Sequence, residues 1–259
     1  MTKVGEEKQQ SLIMGFKSPT FFQVIKQHFS RYFETEGVKR NDMMITSVNG
    51  ICNSFQDACA NLNYIKKLSH SDLCIEGIYN HTNGPFADLA EVFLFNYLGY
   101  SPITQDLLAE KWIDFHERNK NNPNAKILHF CHSQGAIHTK NTLMKIPKEI
   151  RERIIVVAIA PAVIIPEELC YQSFNYASRK DIVHLGEDLI MQMTINSFVD
   201  NESFQREQSE IFQRHKATLI LLEPQEGTDD IDHNFMSLTF YDPIEKRLHQ
   251  YFNNEGKYR

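Results

Sequence analysis

Paired cysteines, a basic surplus and a long apolar leader are all missing from this chain, and each absence narrows what it can be. The five cysteines are Cys52, Cys59, Cys74, Cys131 and Cys170. An odd number without short paired spacings fits neither a disulfide framework nor a zinc site. Three of them sit inside apolar runs, where cysteine acts as a small buried hydrophobe, and this suits a reducing compartment. Lys and Arg total 27 against 33 Asp and Glu, a net charge of −6. Nothing there offers a basic field for a phosphate backbone, so nucleic acid is excluded as an expected partner. The opening MTKVGEEKQQSLIMGF holds no long uninterrupted apolar stretch, so neither a signal peptide nor a membrane span is expected. The expected location is cytoplasmic, or secreted without a cleavable signal. No His/Asp cluster shows ligand spacing, so no metal or organic cofactor is expected. Internal repeats and low-complexity tracts are also lacking.

What is present is an ordinary globular composition. Hydrophobic residues make up 42% and charged residues 23% of 259 positions, too apolar for a disordered chain and enough for one large domain. Residues 1–40 stand apart as an N-terminal helical extension, because FFQVIKQHFSRYF places its apolar residues at roughly helical spacing. From residue 41 to 259 the pattern alternates. MMITSVNG, LCIEGIYN, AKILHFCH, IIVVAIAP, QSFNYAS and KATLILLEP read as strands. SFQDACANLNYIKKL, ADLAEVFLFNYLGY, TQDLLAEKWIDFHERNK and SQGAIHTKNTLMKI read as helices. Short apolar strands alternating with helices predict an α/β fold: a doubly wound, mostly parallel sheet of about six strands. In such sheets the ligand site lies at the carboxyl ends of the strands, so chemistry is sought in the residues just after each one.

One such place carries a motif. After AKILHF comes Cys131-His132-Ser133-Gln134-Gly135-Ala136 and then a helix, a near match to G-x-S-x-G. In that turn the serine hydroxyl is presented at a helix N-terminus whose free amides can receive an oxyanion. Cys131 stands where the pattern has its first glycine. The plain alternative for Ser133 is a helix cap.

A serine hydroxyl needs a histidine to take its proton and a carboxylate to orient that histidine. Asp181 follows the strand QSFNYAS, and His233 lies in the loop QEGTDDIDHNF after the last strand. Asp188, Asp229, Asp230 and Asp232 are rival acids, and His132, His138, His184 and His215 are rival bases. His132 is expected to point away from the serine. The oxyanion donors are expected to be the amides of Gln134 and of Ile51 or a neighbour, since Gly50 ends the first strand and lets the backbone come close. The loop Tyr79 to Gly84 lies on the same rim, and AEVFLFNYLGY is either a lid or buried core.

Together VNGI, EGIYN, HFCHSQGA, IIVVAIAP, NYASRKDIV and the late Asp232-His233 resemble the α/β-hydrolase superfamily, especially its lipase-like branch. Within that branch Asp181-Ile182-Val183 resembles the run that carries the triad acid, and His233 matches the position of the base. The resemblance implies a serine hydrolase acting on a small-molecule or lipid ester or thioester, without cofactor, or a non-catalytic binding or effector protein that keeps the fold. The chain departs from the superfamily in Cys131, in lacking clear counterparts of the first two strands within residues 1–42, and in a short connection between IIVVAIAP and QSFNYAS. The NGI, IYN-T and CHSQGA-HT segments are also similar to a chlamydial family of proteins without known activity.

Overall fold

The computed structural model describes residues 30–51, 53–81, 102–181, 183 and 218–253. Its strands are β1 (Arg31–Glu34), β2 (Met43–Val48), β3 (Ile75–Tyr79), β4 (Lys126–His132), β5 (Ile154–Ile159), β6 (Gln172–Ser178) and β7 (Leu219–Leu222). They form one sheet in the order β1–β3–β2–β4–β5–β6–β7. Every pairing is parallel except β1 against β3, so the sheet is mostly parallel and doubly wound, as expected. The helices are α1 (Phe55–Ser69), α2 (Pro102–Arg118), α3 (Gly135–Lys145), the single turn α4 (Lys148–Arg151) and α5 (Tyr241–Phe252). Among the described residues no helix is long and apolar enough to cross a membrane.

The interior strand β5 shows why the sheet is covered on both sides. All six residues of IIVVAI are buried, and they alternate between two cores. Ile154, Val156 and Ala158 join Trp112 and Phe115 of α2 and Ile137 and Leu143 of α3 on one face. Ile155, Val157 and Ile159 join Leu62 and Ile65 of α1 and Ile244 and Leu248 of α5 on the other. Helix α1 is punctuated by its own sequence. Ser54 and Asp57 form a reciprocal capping box, and His70 ends the helix in the left-handed region at φ 47°. Late in the chain, Tyr251 of α5 reaches back to the strand starts. Its hydroxyl accepts from the Met44 amide at 2.9 Å and donates to the Lys126 carbonyl at 2.6 Å.

The seventh strand was not expected. Arg31–Glu34 falls within the stretch read as a helical extension, yet it pairs antiparallel with β3 and closes that edge of the sheet. Tertiary partners override the helical spacing here. Phe33 lies opposite Gly77, and a methyl group on Gly77 would sit 2.4 Å from the Phe33 ring, so the aromatic fills the space that the glycine leaves. Phe33 also meets Phe55 edge-on at 5.2 Å, and the Arg31 guanidinium stacks on Phe55 at 3.6 Å. Residues 1–29 and the segment ADLAEVFLFNYLGY, with its lid reading, lie outside the described residues, as do His184, Asp188 and His215.

Candidate active site

Because the core strands run parallel, the residues after Val48, Tyr79, His132, Ile159, Ser178 and Leu222 share one rim. Ser133 occupies the β4–α3 turn at φ +52°, a left-handed backbone that a non-glycine residue adopts at a cost of about 1–3 kcal/mol. The surrounding backbone over-determines it. The Ser133 amide donates to the Ile159 carbonyl at 3.3 Å, and its carbonyl accepts from the amides of Ala136 at 3.0 Å and Ala162 at 3.1 Å. Two glycines make the turn sterically possible. A Cβ on Gly135 would lie 2.8 Å from the Val48 carbonyl oxygen, and one on Gly50 would lie 2.7 Å from Ser133 Cβ. Cys131 is fully buried in the same core as Ala136, Ala158 and Ala162. Burial pushes its thiol up to about 12, although the Thr139 hydroxyl pulls the other way, so it stays a neutral core group.

A hydrogen-bond chain braces the turn from below. Trp112 donates through its indole N–H to Thr46 Oγ1 at 3.5 Å, and Thr46 contacts His129 Nδ1 at 2.8 Å. His129 Nε2 contacts Thr139 Oγ1 at 2.9 Å, and Thr139 donates to the Gly135 carbonyl at 2.8 Å. Since the Thr139 proton is committed to Gly135, Nε2 of His129 is the donor and Nδ1 accepts from Thr46. His129 is therefore neutral, and burial pushes it down to about 3.

On the rim, His233 and Asp181 meet. Nδ1 of His233 lies 2.9 Å from Oδ2 of Asp181, which is wholly buried, while the imidazole keeps about a quarter of its surface exposed. A carboxylate can only accept, so Nδ1 carries the proton and Nε2 is left as a base. The other oxygen of Asp181 accepts from the Val183 amide at 2.9 Å, which fixes the carboxylate plane. Ser133 is 4% exposed, and no hydrogen bond joins its hydroxyl to His233 among the described residues. The link between the two runs through the preceding residue instead. His132 Nε2 lies 2.8 Å from the His233 carbonyl oxygen, and the two rings are 5.1 Å apart.

The rival residues separate by environment. Asp232 is buried at φ +46°; it accepts from the Ser237 hydroxyl and, at 2.7 Å, from Thr239. Burial alone would raise its carboxyl, but the hydroxyls of Ser178, Ser237 and Thr239, with Lys180, hold it below the usual range. It therefore shapes the loop that carries His233. Asp229 and Asp230 are exposed. His138 is buried in α3 with neither ring nitrogen partnered among the described residues, and desolvation pushes it down to about 4.

Sequence reasoning missed a polar clamp on the oxyanion side. Asn49 and Asn80, the residues after β2 and β3, bond reciprocally. The Asn80 amide donates to Asn49 Oδ1 at 2.8 Å, and Asn49 Nδ2 donates to the Asn80 carbonyl at 3.0 Å. Asn80 Nδ2 then donates to Gln134 Oε1 at 2.7 Å, and Thr104 Oγ1 donates to Asn80 Oδ1 at 3.3 Å. All four side chains are buried. The Gln134 amide donates to no group among the described residues, as an oxyanion donor requires. Ile51 follows Gly50 in the turn beside Ser133. Pairings 31 and 54 residues apart leave no mark in local spacing.

Strand order, rim and serine turn define an α/β-hydrolase-like fold. No family model and no curated protein matches the chain. Among solved structures it is similar to a carboxylesterase of Bacillus cereus (12% identical, covering 92% of this chain and 99% of that one, TM-score 0.44). It is also similar to a phospholipase/carboxylesterase of Dyadobacter fermentans DSM 18053 (14%, 86% and 98%, TM-score 0.45). A third is LpqC, a poly(3-hydroxybutyrate) depolymerase of Bordetella parapertussis (11%, 88% and 85%, TM-score 0.48). Identities this low carry over neither substrate nor residue roles.

Proposed function

We propose that this protein is a serine hydrolase that cleaves a carboxylic ester or thioester. The observation that carries the reading is the Asp181–His233 hydrogen bond at 2.9 Å, on the rim that holds Ser133 at positive φ. Ser133 Oγ attacks the carbonyl carbon while His233 Nε2 takes its proton. The oxyanion draws on the amides of Gln134 and of the Ile51 region. His233 returns the proton to the leaving alcohol or thiol. Water then repeats the sequence and releases the acid. Asp181 keeps the imidazole in the required tautomer throughout. Acid–base contacts often tighten only once substrate is bound, so an apo structure without the serine–histidine bond is compatible with turnover. The similarity of a few segments to a chlamydial family adds no activity to this reading.

A non-catalytic binding protein is the second reading, favoured by the 4% exposure of Ser133 and by the missing bond to His233. A fluorophosphonate probe separates the two. Ser133 of the folded protein is expected to be labelled, and Ser133→Ala to abolish labelling with little change in Tm. Folded wild-type protein that stays unlabelled would sink the enzymatic account.

A further inference from the structure

We infer that His132 is a positioning residue for His233, acting as a strut between the nucleophile's turn and the loop that bears the base. The inference rests on the hydrolase reading for its catalytic meaning. Its geometry stands independently.

His132 ends β4 and immediately precedes Ser133. Along β4 the side chains alternate, so His132 follows Leu128 and Phe130 on the α1/α5 face. There its Nε2 meets the carbonyl oxygen of His233 at 2.8 Å. A carbonyl only accepts, so Nε2 bears the proton and Nδ1 is left as a lone pair. That Nδ1 is buried without a partner among the described residues and faces Gly50, where an added Cβ would come within 3.0 Å of it. The ring is further clamped by Phe235, edge-on at 5.9 Å, and by the His233 ring at 5.1 Å. Burial and the neighbouring His233 hold His132 down to about 3, against the opposing pull of the His233 carbonyl and Asp181. The strut is therefore neutral and of constant geometry at any pH near neutrality.

The chemical consequence is specific. Asp181 fixes His233 through the side chain, and His132 fixes it through the backbone. Without the second tie, the loop from Asp232 to Phe235 can shift relative to Ser133 while the imidazole pivots about its contact with the buried, fixed Asp181. A displacement of about 1 Å between reacting groups lowers turnover on the order of 100-fold. Binding of the ester does not use this tie, so the loss falls on kcat and not on KM.

Two substitutions separate the donor from the ring. His132→Phe keeps a flat ring and removes the donor, whereas His132→Gln restores an N–H at a similar reach. With a short-chain p-nitrophenyl ester, kcat of His132→Phe is expected to fall roughly 10- to 100-fold at unchanged KM, and His132→Gln to recover most of it. Proton and nitrogen NMR reads the same tie without turnover. Wild-type His132 should be protonated at Nε2, and the low-field Nδ1–H resonance of His233 should be sharp in wild type and His132→Gln but broadened in His132→Phe. Should Ser133 of the wild type resist the fluorophosphonate while the NMR pattern holds, the hydrolase reading falls and the strut remains. A His132 protonated at Nδ1, an unaltered His233 resonance in His132→Phe, or equal impairment in both variants overturns the strut.

Discussion

Asn80 donates through Nδ2 to Oε1 of Gln134 at 2.7 Å, so the residue after β3 clamps the residue after Ser133. Replacing Asn80 with Leu would leave the buried Gln134 Oε1 without that partner, while the Thr104 hydroxyl keeps Ser30 Oγ at 2.9 Å. Orphaned groups of this kind cost about 1–3 kcal/mol. A lower urea midpoint is expected, together with slower fluorophosphonate labelling, because the Gln134 amide is no longer held. Asn80→Asp should be milder, since Gln134 can turn its amide nitrogen toward the new carboxylate. A wild-type midpoint for Asn80→Leu would show that the clamp adds nothing.

Gly50 lies so close to Ser133 that no side chain fits between them. Gly50→Ala would set a Cβ 2.7 Å from Ser133 Cβ and 3.0 Å from His132 Nδ1. Overpacking of this degree costs about 1–3 kcal/mol. The strain falls on the serine turn, so labelling should drop at temperatures where the variant is fully folded. Crystallography would then show the β2–α1 turn displaced. Full labelling by a folded Gly50→Ala protein would contradict the close approach.

Three buried histidines make the fold sensitive to acid. Desolvation holds His129 and His132 down to about 3 and His138 to about 4, all below an unfolded value near 6.5. Between these limits the unfolded chain binds protons that the folded chain refuses, so stability rises with pH. The contribution is complete above about pH 6.5 and is lost progressively as pH falls toward 3–4. Near pH 5 unfolding should take up about three protons, a slope of about 4 kcal/mol per pH unit. Urea titrations at pH 7.5, 6 and 5 check this, and a slope of one proton or fewer would contradict it. His129→Gln should remove about one proton from that uptake, because amide and imidazole can hold the same two threonines while only the imidazole titrates.

The parts of the molecule legible in sequence are those that local pattern encodes. Runs such as IIVVAIAP announce a strand buried on both faces, and Ser133, Asp181 and His233 each follow such a run in chain order. β1 was hidden because RYFE continues a helical spacing and is only partly buried, its strand state coming from β3 and from the fit of Phe33 over Gly77. Cys131 looked like a defect in the serine turn, whereas its side chain is fully buried in the core that Ala158 of β5 and Ala136 of α3 share. His132 was expected to point away from the serine, and nothing in spacing could reveal that it points at the backbone of a residue 101 positions later. The role of Asp232 was equally invisible, for it depends on hydroxyls drawn from β6 and from its own loop.

The Tyr251 hydroxyl, bonded to Met44 and Lys126 at the strand starts, spans 207 positions to the first and 125 to the second. Such a long closure is slow to form and has little to anchor it until the last helix has docked. During synthesis on the ribosome, the native fold would therefore be completed only after residue 251 has cleared the exit tunnel. In refolding, recovery of native tertiary packing would trail the return of helical signal.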